Sequence, residues 1–532
     1  MPTHITSNTR LETHHWLSEH NLFLLACLLC GLPVWLPHFP PMVDLPQHAA
    51  LISLFLNMGN PDFAFHNEFQ INLFTPYLLG YLLIAALSPL LGVVTASKLL
   101  IGFALFSFSL STRFVLRKTG ADPYWAWLVF PTLYGFSYQW GFLNFLIAAP
   151  IGILFLDLVW RKIQSHSIRS SLLIMLTLYV LFFSHALIMG LFSLIALGYW
   201  MFTARQLSDF LRRAWPMFAL APLVIAWFAL ASKHPQTSHP IEWDLSWIST
   251  TDGYYSYIAD WINPENRNWG RITGFIPRML GVRPNIIVIA LGIMLFALPF
   301  LAGGRMTKSR KRLVPLGAVT LLLLFLPSVL FGNVFTVQRF SLLAMPLFLI
   351  TINSPIRLGA AQQYIRLCAP VIAFSWIAFM SINALQLNKE SDDFEVIMTK
   401  MEPQKTAMSL IFSRDDGHSI APTFINYPAW YSAVKEGIVH PSFAEFTGMP
   451  VGYKPEYTPR ASIQGVAWNP KGFNWQTHEG YKYDYFLIRS PVNVSSYIFR
   501  SAPCPINLAA QSGMWWLYRP ESNCKQISPV NH

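Results

Sequence analysis

Residues 113–162 read RFVLRKTGADPYWAWLVFPTLYGFSYQWGFLNFLIAAPIGILFLDLVWRK. The stretch opens on Arg113, Arg117 and Lys118 and closes on Arg161 and Lys162. Between them lie two apolar runs, 124–138 and 142–160, broken at Tyr138-Gln139-Trp140-Gly141. A membrane-crossing helix needs about 20 apolar residues, and Lys and Arg collect on its cytoplasmic side. Two basic clusters on one side require an even number of crossings between them. The stretch therefore predicts a pair of spanning helices that turns near residues 139–141 on the outer face.

The same reasoning extends in both directions. Further basic clusters stand at Arg161, Lys162 and Arg169; at Arg205, Arg212 and Arg213; at Arg305, Lys308, Arg310, Lys311 and Arg312; and at Arg357 and Arg366. Between them fall the pairs 171–185 with 186–203, 214–231 with 284–303, and 313–331 with 340–355. A last span, 367–386, leads outward. At the start, 21–36 crosses outward as an uncleaved anchor and 95–115 returns. Residues 71–92, which carry Pro76, Gly80, Pro89 and Gly92, are surplus to this alternation. They are expected to lie along the outer face as a juxtamembrane or re-entrant segment. The predicted fold is an all-α polytopic membrane bundle of about eleven transmembrane helices. It occupies residues 1–387 and is followed by a small C-terminal α/β extracytoplasmic domain, 388–532. In that tail, 393–411 reads as an amphipathic helix, and short β-rich runs follow at 423–427, 483–488 and 514–518.

Composition agrees. The 532 residues are 53% hydrophobic and only 12% charged, about half the charged share of a soluble domain. Mean hydropathy is +0.40. The net charge of +11 resides in short clusters between apolar runs, which marks orientation and not a nucleic-acid surface. Cys27, Cys30 and Cys368 lie in apolar runs, whereas Cys504 and Cys524 share the tail, where an oxidising compartment would join them. The expected location is a bacterial inner membrane, with the N-terminus cytoplasmic and the tail periplasmic.

Nearly every unusual polar residue falls on the predicted outer side. Asp44 and His48 stand in the first outer loop, in Pro40-Pro41-Met42-Val43-Asp44-Leu45-Pro46-Gln47-His48. They share one face if a helix begins near Pro46. A carboxylate there is suited to general-base work on a hydroxyl or to holding a divalent cation. An Asp before Pro also suits a helix cap.

This arrangement resembles the GT-C superfamily of membrane glycosyltransferases, of bacterial type. The Asp-x-Pro-x-His stretch (Asp44, Pro46, His48) looks like that family's acidic first-loop motif. Residues 71–92 are similar to its juxtamembrane helices, and 139–144 to its second outer loop. The resemblance implies transfer of a sugar from a polyprenyl-phosphate donor to an acceptor glycan, lipid or protein, with inversion and with Asp44 as base. His48 would support it. The chain departs from family members that carry a second acid in the second outer loop, because Gln139 and Asn144 stand there instead. Either the base works alone, or an acid of the 232–283 loop substitutes, with Glu242, Asp244, Asp252 and Asp260 as candidates.

A departing lipid phosphate calls for cations at the outer surface. Arg339 is the sole basic residue between Arg312 and Arg357 and begins a span on the outer side. It is the first candidate for the phosphate, followed by Lys233 and His234. His185 is either a ligand contact or a helix-break residue. Aromatics of the loop (Trp243, Trp247, Trp261, Trp269) and of the tail (Tyr427, Trp430, Tyr431, Trp468, Trp475) suit sugar stacking or interfacial packing equally. Expected partners are the lipid-linked sugar, membrane lipids and the acceptor, with a divalent cation as candidate cofactor. A transporter or flippase, or a scaffold displaying its tail, are the rival classes. No Walker loop, HExxH or GxSxG motif points to another enzyme.

Overall fold

The computed structural model describes residues 18–164, 167–231, 241–242, 271–327, 329–330, 334–355, 359–446, 448–460, 462–521 and Cys524. Most of them are helical. Among the described residues, four helical stretches are long and apolar enough to cross a membrane: Val93–Thr119, Leu143–Ile163, Ala186–Thr203 and Ala360–Thr399. A fifth crossing arises if Leu207–Phe218 and Ala221–Leu230, bent by 45°, count as one span. Shorter apolar helices run over Glu19–Trp35, Leu78–Leu91, Ile168–Ser184 and Ile286–Leu301.

Three predicted segments take other forms. Residues 123–134 form a 3-10 helix, Pro123–Tyr134, started by Asp122, whose side chain accepts from the Tyr124 amide. It rises about 2 Å per residue, so twelve residues reach about 24 Å. Pro131 within it would cost an α-helix one of its ladder bonds. The run 340–355 holds only the nine-residue helix Ser341–Leu349. Arg312 then stops the chain, donating to the Ile350 and Ile352 carbonyls. The surplus segment forms Leu78–Leu91, fourteen residues or about 21 Å, shorter than the hydrocarbon core. It breaks at Gly92, whose φ of 75° suits glycine alone, and packs beside Val93–Thr119.

The tail is continuous with the bundle. Helix Ala360–Gln386 passes through Leu387 into Asn388–Thr399. The first half of the amphipathic run is thus helical, but Thr406–Ile411 is an inner strand of a five-stranded sheet. It lies parallel to Ile438–His440 on one side and to Tyr485–Arg489 on the other. Trp515–Pro520 and Ile506–Ser512 extend the sheet antiparallel. Residues 423–427 are turns, not a strand. Cys504 and Cys524 form a disulfide with Cα atoms 5.6 Å apart.

This tail is docked on the 37–70 segment that follows the first helix. Phe69–Ile71 pairs antiparallel with Val451–Tyr453. Helix Leu45–Asn57 packs against Ala429–Lys435. Between them the Gln47 amide donates to the Pro441 carbonyl (2.8 Å) and accepts from the Phe443 amide (3.1 Å).

Candidate functional site

Asp44 is placed by backbone bonds before its side chain does anything. The Val43 and Asp44 amides donate to the Gln139 and Trp140 carbonyls at 3.0 and 2.9 Å. The segment before Leu45–Asn57 is thereby laid against the 139–141 turn. Gly141, with φ 71°, permits the approach: a Cβ there would stand 3.1 Å from the Asp44 nitrogen and 2.9 Å from that of Leu45. Asp44 occupies the cap position of Leu45–Asn57, with Pro46 in the first turn, yet its side chain makes no cap bond. The carboxylate instead accepts from the Asn426 amide of the tail, Nδ2 to Oδ1, at 3.0 Å.

That carboxylate is deep in protein while keeping intermediate exposure. Burial pushes its pKa up to about 7, opposed by the nearby charge of Arg339 and the hydrogen bond from Asn426. Asp44 therefore exchanges a proton near neutral pH, the condition a general base requires.

His48 lies one helical turn on. Its backbone amide donates to the Asp44 carbonyl (3.0 Å). Its ring does not touch the carboxylate: Nδ1 meets the Tyr81 hydroxyl at 2.6 Å, and the ring stands edge-on to Tyr81 and Phe443. Burial, followed by the charge of Arg339, lowers its pKa to about 3, so the imidazole stays neutral.

Arg339 ends the short helix Thr336–Arg339 and is buried. Its guanidinium lies 3.7 Å over the Phe142 ring, 3.3 Å from His185 Nε2 and 3.1 Å from the Val334 carbonyl. Among the described residues no carboxylate closes an ion pair with it. His185 separates Ile168–Ser184 from Ala186–Thr203 with extended backbone, so it is both the helix break and the partner of Arg339. Three buried donors of this neighbourhood lack any acceptor: Arg339 Nε, His185 Nδ1 and Trp140 Nε1. Trp140 joins the group through Phe142, with ring centres 6.1 Å apart. A buried cation without an ion-pair partner costs several kcal/mol, a cost that a bound anion would offset.

Gln139 and Asn144 hold the scaffold. Gln139 accepts from Ser419 Oγ (2.9 Å) and donates to the Tyr134 carbonyl; Asn144 accepts from the Gly80 amide (3.2 Å). Tyr427, Trp430, Tyr431 and Trp475 are buried in the tail or its seam, Trp430 stacking on Phe39 at 5.0 Å. Of the tail aromatics considered for sugar stacking, Trp468 alone is exposed. Lys233, His234, Asp244, Asp252, Asp260 and the loop tryptophans lie outside the described residues. Glu242 falls in a two-residue strand paired with Val329–Leu330, and its side chain is outside them too. Among the described residues no three His, Cys, Asp or Glu side chains cluster. Around Asp44 stand an amide, a guanidinium and a neutral His bonded to Tyr. Among the described residues that set holds Asp44 as its one carboxylate.

Asn426 and Tyr81 were not legible as site residues. Tyr81 sits in the surplus segment that drew notice for its placement alone. Asn426 is 382 residues from its partner, and no spacing rule reaches that far. No protein-family model matches this chain, and no curated protein matches it by sequence.

Proposed function

We propose that this protein is a polytopic membrane glycosyltransferase of GT-C type that moves a sugar from a polyprenyl-phosphate donor to an acceptor hydroxyl on the outer face. In this reading the bundle has about eleven crossings, including the 3-10 segment and the short helices, and the tail stands outside. The observation that carries it is the nearness of one neutral-range carboxylate, Asp44, to a buried guanidinium, Arg339, that closes no ion pair among the described residues. The first suits a base, the second a phosphate.

The chemistry follows from those roles. Asp44 takes the proton of the acceptor hydroxyl. The acceptor oxygen then bonds to the anomeric carbon as that carbon's bond to the phosphate oxygen breaks. The lipid phosphate leaves as an anion, stabilised by Arg339 and the idle donors of His185 and Trp140. Attack opposite the leaving group inverts the anomeric centre. His48, neutral and bonded to Tyr81, holds the wall of the site and carries no proton. No step is routed through a metal.

Release of polyprenyl phosphate gives a readout that does not depend on the sugar. Membranes containing the protein, supplied with a panel of polyprenyl-phosphate sugars and their native acceptors, should release it. Asp44→Asn should lower that release by about a hundredfold to ten-thousandfold, the usual contribution of a general base. Unchanged release by a folded variant removes Asp44 from the mechanism.

A further inference from the structure

We infer that the tail domain is a structural part of the Asp44 site and that Asn426 is its positioning residue, fixing one carboxylate oxygen so that the other faces the incoming hydroxyl. The inference deepens the transferase reading and rests on it for the word positioning. Its test needs no turnover, so either can fail without the other.

Geometry is the ground for it. The Asn426 amide donates to Asp44 Oδ1 at 3.0 Å. Among the described residues no donor meets Oδ2, and Asp44 retains intermediate exposure. One lone-pair direction is thus occupied and the other is open. A carboxylate at a cap position normally turns back onto its own helix. Asp44 makes no such bond, so no hydrogen bond from the described residues of the bundle fixes its side-chain rotation. The tail supplies that constraint.

The tail is held firmly enough to do so. Asn426 lies in the turn before Ala429–Lys435, the helix packed on Leu45–Asn57 that carries Asp44 at its start. The Asn426 carbonyl accepts from the Ala429 amide at 3.0 Å, tying that turn to the helix. Around it, Gln47 clamps Pro441 and Phe443, Thr75 Oγ1 donates to the Gly448 carbonyl, and Ser419 donates to Gln139. Phe69–Ile71 adds a strand pairing with Val451–Tyr453. These ties flank the Asp44–Asn426 bond on both sides. A tail displayed for another purpose would have no reason to place a side-chain donor on a buried carboxylate.

Among the described residues, the charged and titratable groups near Asp44 are Arg339 from the Thr336–Arg339 turn, His48 on its own helix and Tyr81 from the next segment, with Tyr77 beside Arg339 and Tyr81. Asn426 is the sole donor from the tail among the described residues. Removing its amide should therefore act on the carboxylate directly.

The experiment is a pH titration of the full chain in lipid nanodiscs by infrared difference spectroscopy, following the carboxyl stretch that Asp44→Asn abolishes. In Asn426→Ala the carboxylate loses a donor to its charged form while remaining buried. The midpoint should rise by about one pH unit, the shift equivalent to one hydrogen bond to a charged group. The protonated carboxyl band should also move to the frequency of a less hydrogen-bonded group. Gln47→Ala, which loosens the same seam without touching the carboxylate, should leave the midpoint in place. An unchanged midpoint in Asn426→Ala overturns the inference. A fall toward the ordinary carboxylate range also overturns it, because the tail would then act only by excluding water.

Discussion

Arg339 presents its guanidinium to His185 Nε2 at 3.3 Å while its own Nε, and the other nitrogen of that imidazole, find no acceptor. A buried charge arranged in this way is destabilising in the resting protein. Replacing Arg339 by Met, which keeps much of the volume, should leave the thermal midpoint unchanged or raise it. Binding of polyprenyl phosphate should weaken at least tenfold, the loss of about 1.4 kcal/mol or more. Thermal unfolding and native mass spectrometry with the lipid check the two halves. A variant that loses stability without losing the lipid would assign Arg339 a structural role.

Asp44 makes a second stability prediction, with its sign fixed by linkage. Its pKa in the fold is raised from 3.8 to about 7. The folded state therefore holds the proton more tightly than the unfolded chain, and this contribution is complete below about pH 4 and lost as pH rises through about 7. Asp44→Asn should accordingly raise the thermal midpoint more at pH 8 than at pH 5. Unfolding scans at those two values decide it; an equal shift at both contradicts the burial argument.

Gly141 is the position where a single methyl should matter most. Alanine would need a backbone with φ near 71° and would press on the Asp44 and Leu45 amides. Gly141→Ala should cost about 1–3 kcal/mol and displace the carboxylate. Activity should then fall well beyond what the lost stability explains. Turnover measured on the folded fraction separates the two effects.

The Cys504–Cys524 bond closes a 20-residue separation at the end of the tail sheet. A loop of that size is worth about 3 kcal/mol. Changing both cysteines to Ser should lower the midpoint of the tail while leaving detergent-resistant helicity of the bundle intact. Mass analysis after thiol labelling of whole cells should find this pair oxidised, as the proposed outer placement requires.

The bundle was legible where length and apolarity suffice: 95–115, 186–203 and 367–386 each fall within a helix long and apolar enough to cross, as does 142–160 after its first residue. It was not legible at 124–138, where Pro131 stands within a 3-10 helix that ends at Tyr134. Nor was it at 340–355, where Arg312 caps the chain from another helix. Asp44, His48, Arg339 and His185 were each visible as polar residues out of place in an apolar chain. Their partnerships were not: His48 belongs to Tyr81, Arg339 to His185 and Phe142, and Asp44 to Asn426. Pairings between distant segments carry no periodic signal, and the tail aromatics that invited sugar stacking serve mostly to hold the tail together.

The most direct measurement is an electron-microscopy map of the protein in nanodiscs with polyprenyl phosphate. The account predicts phosphate density against the Arg339 guanidinium, with the Asp44 carboxylate on the wall of the same cavity. Phosphate bound at the opposite leaflet, or a phosphate cavity that Asp44 does not reach, would contradict it.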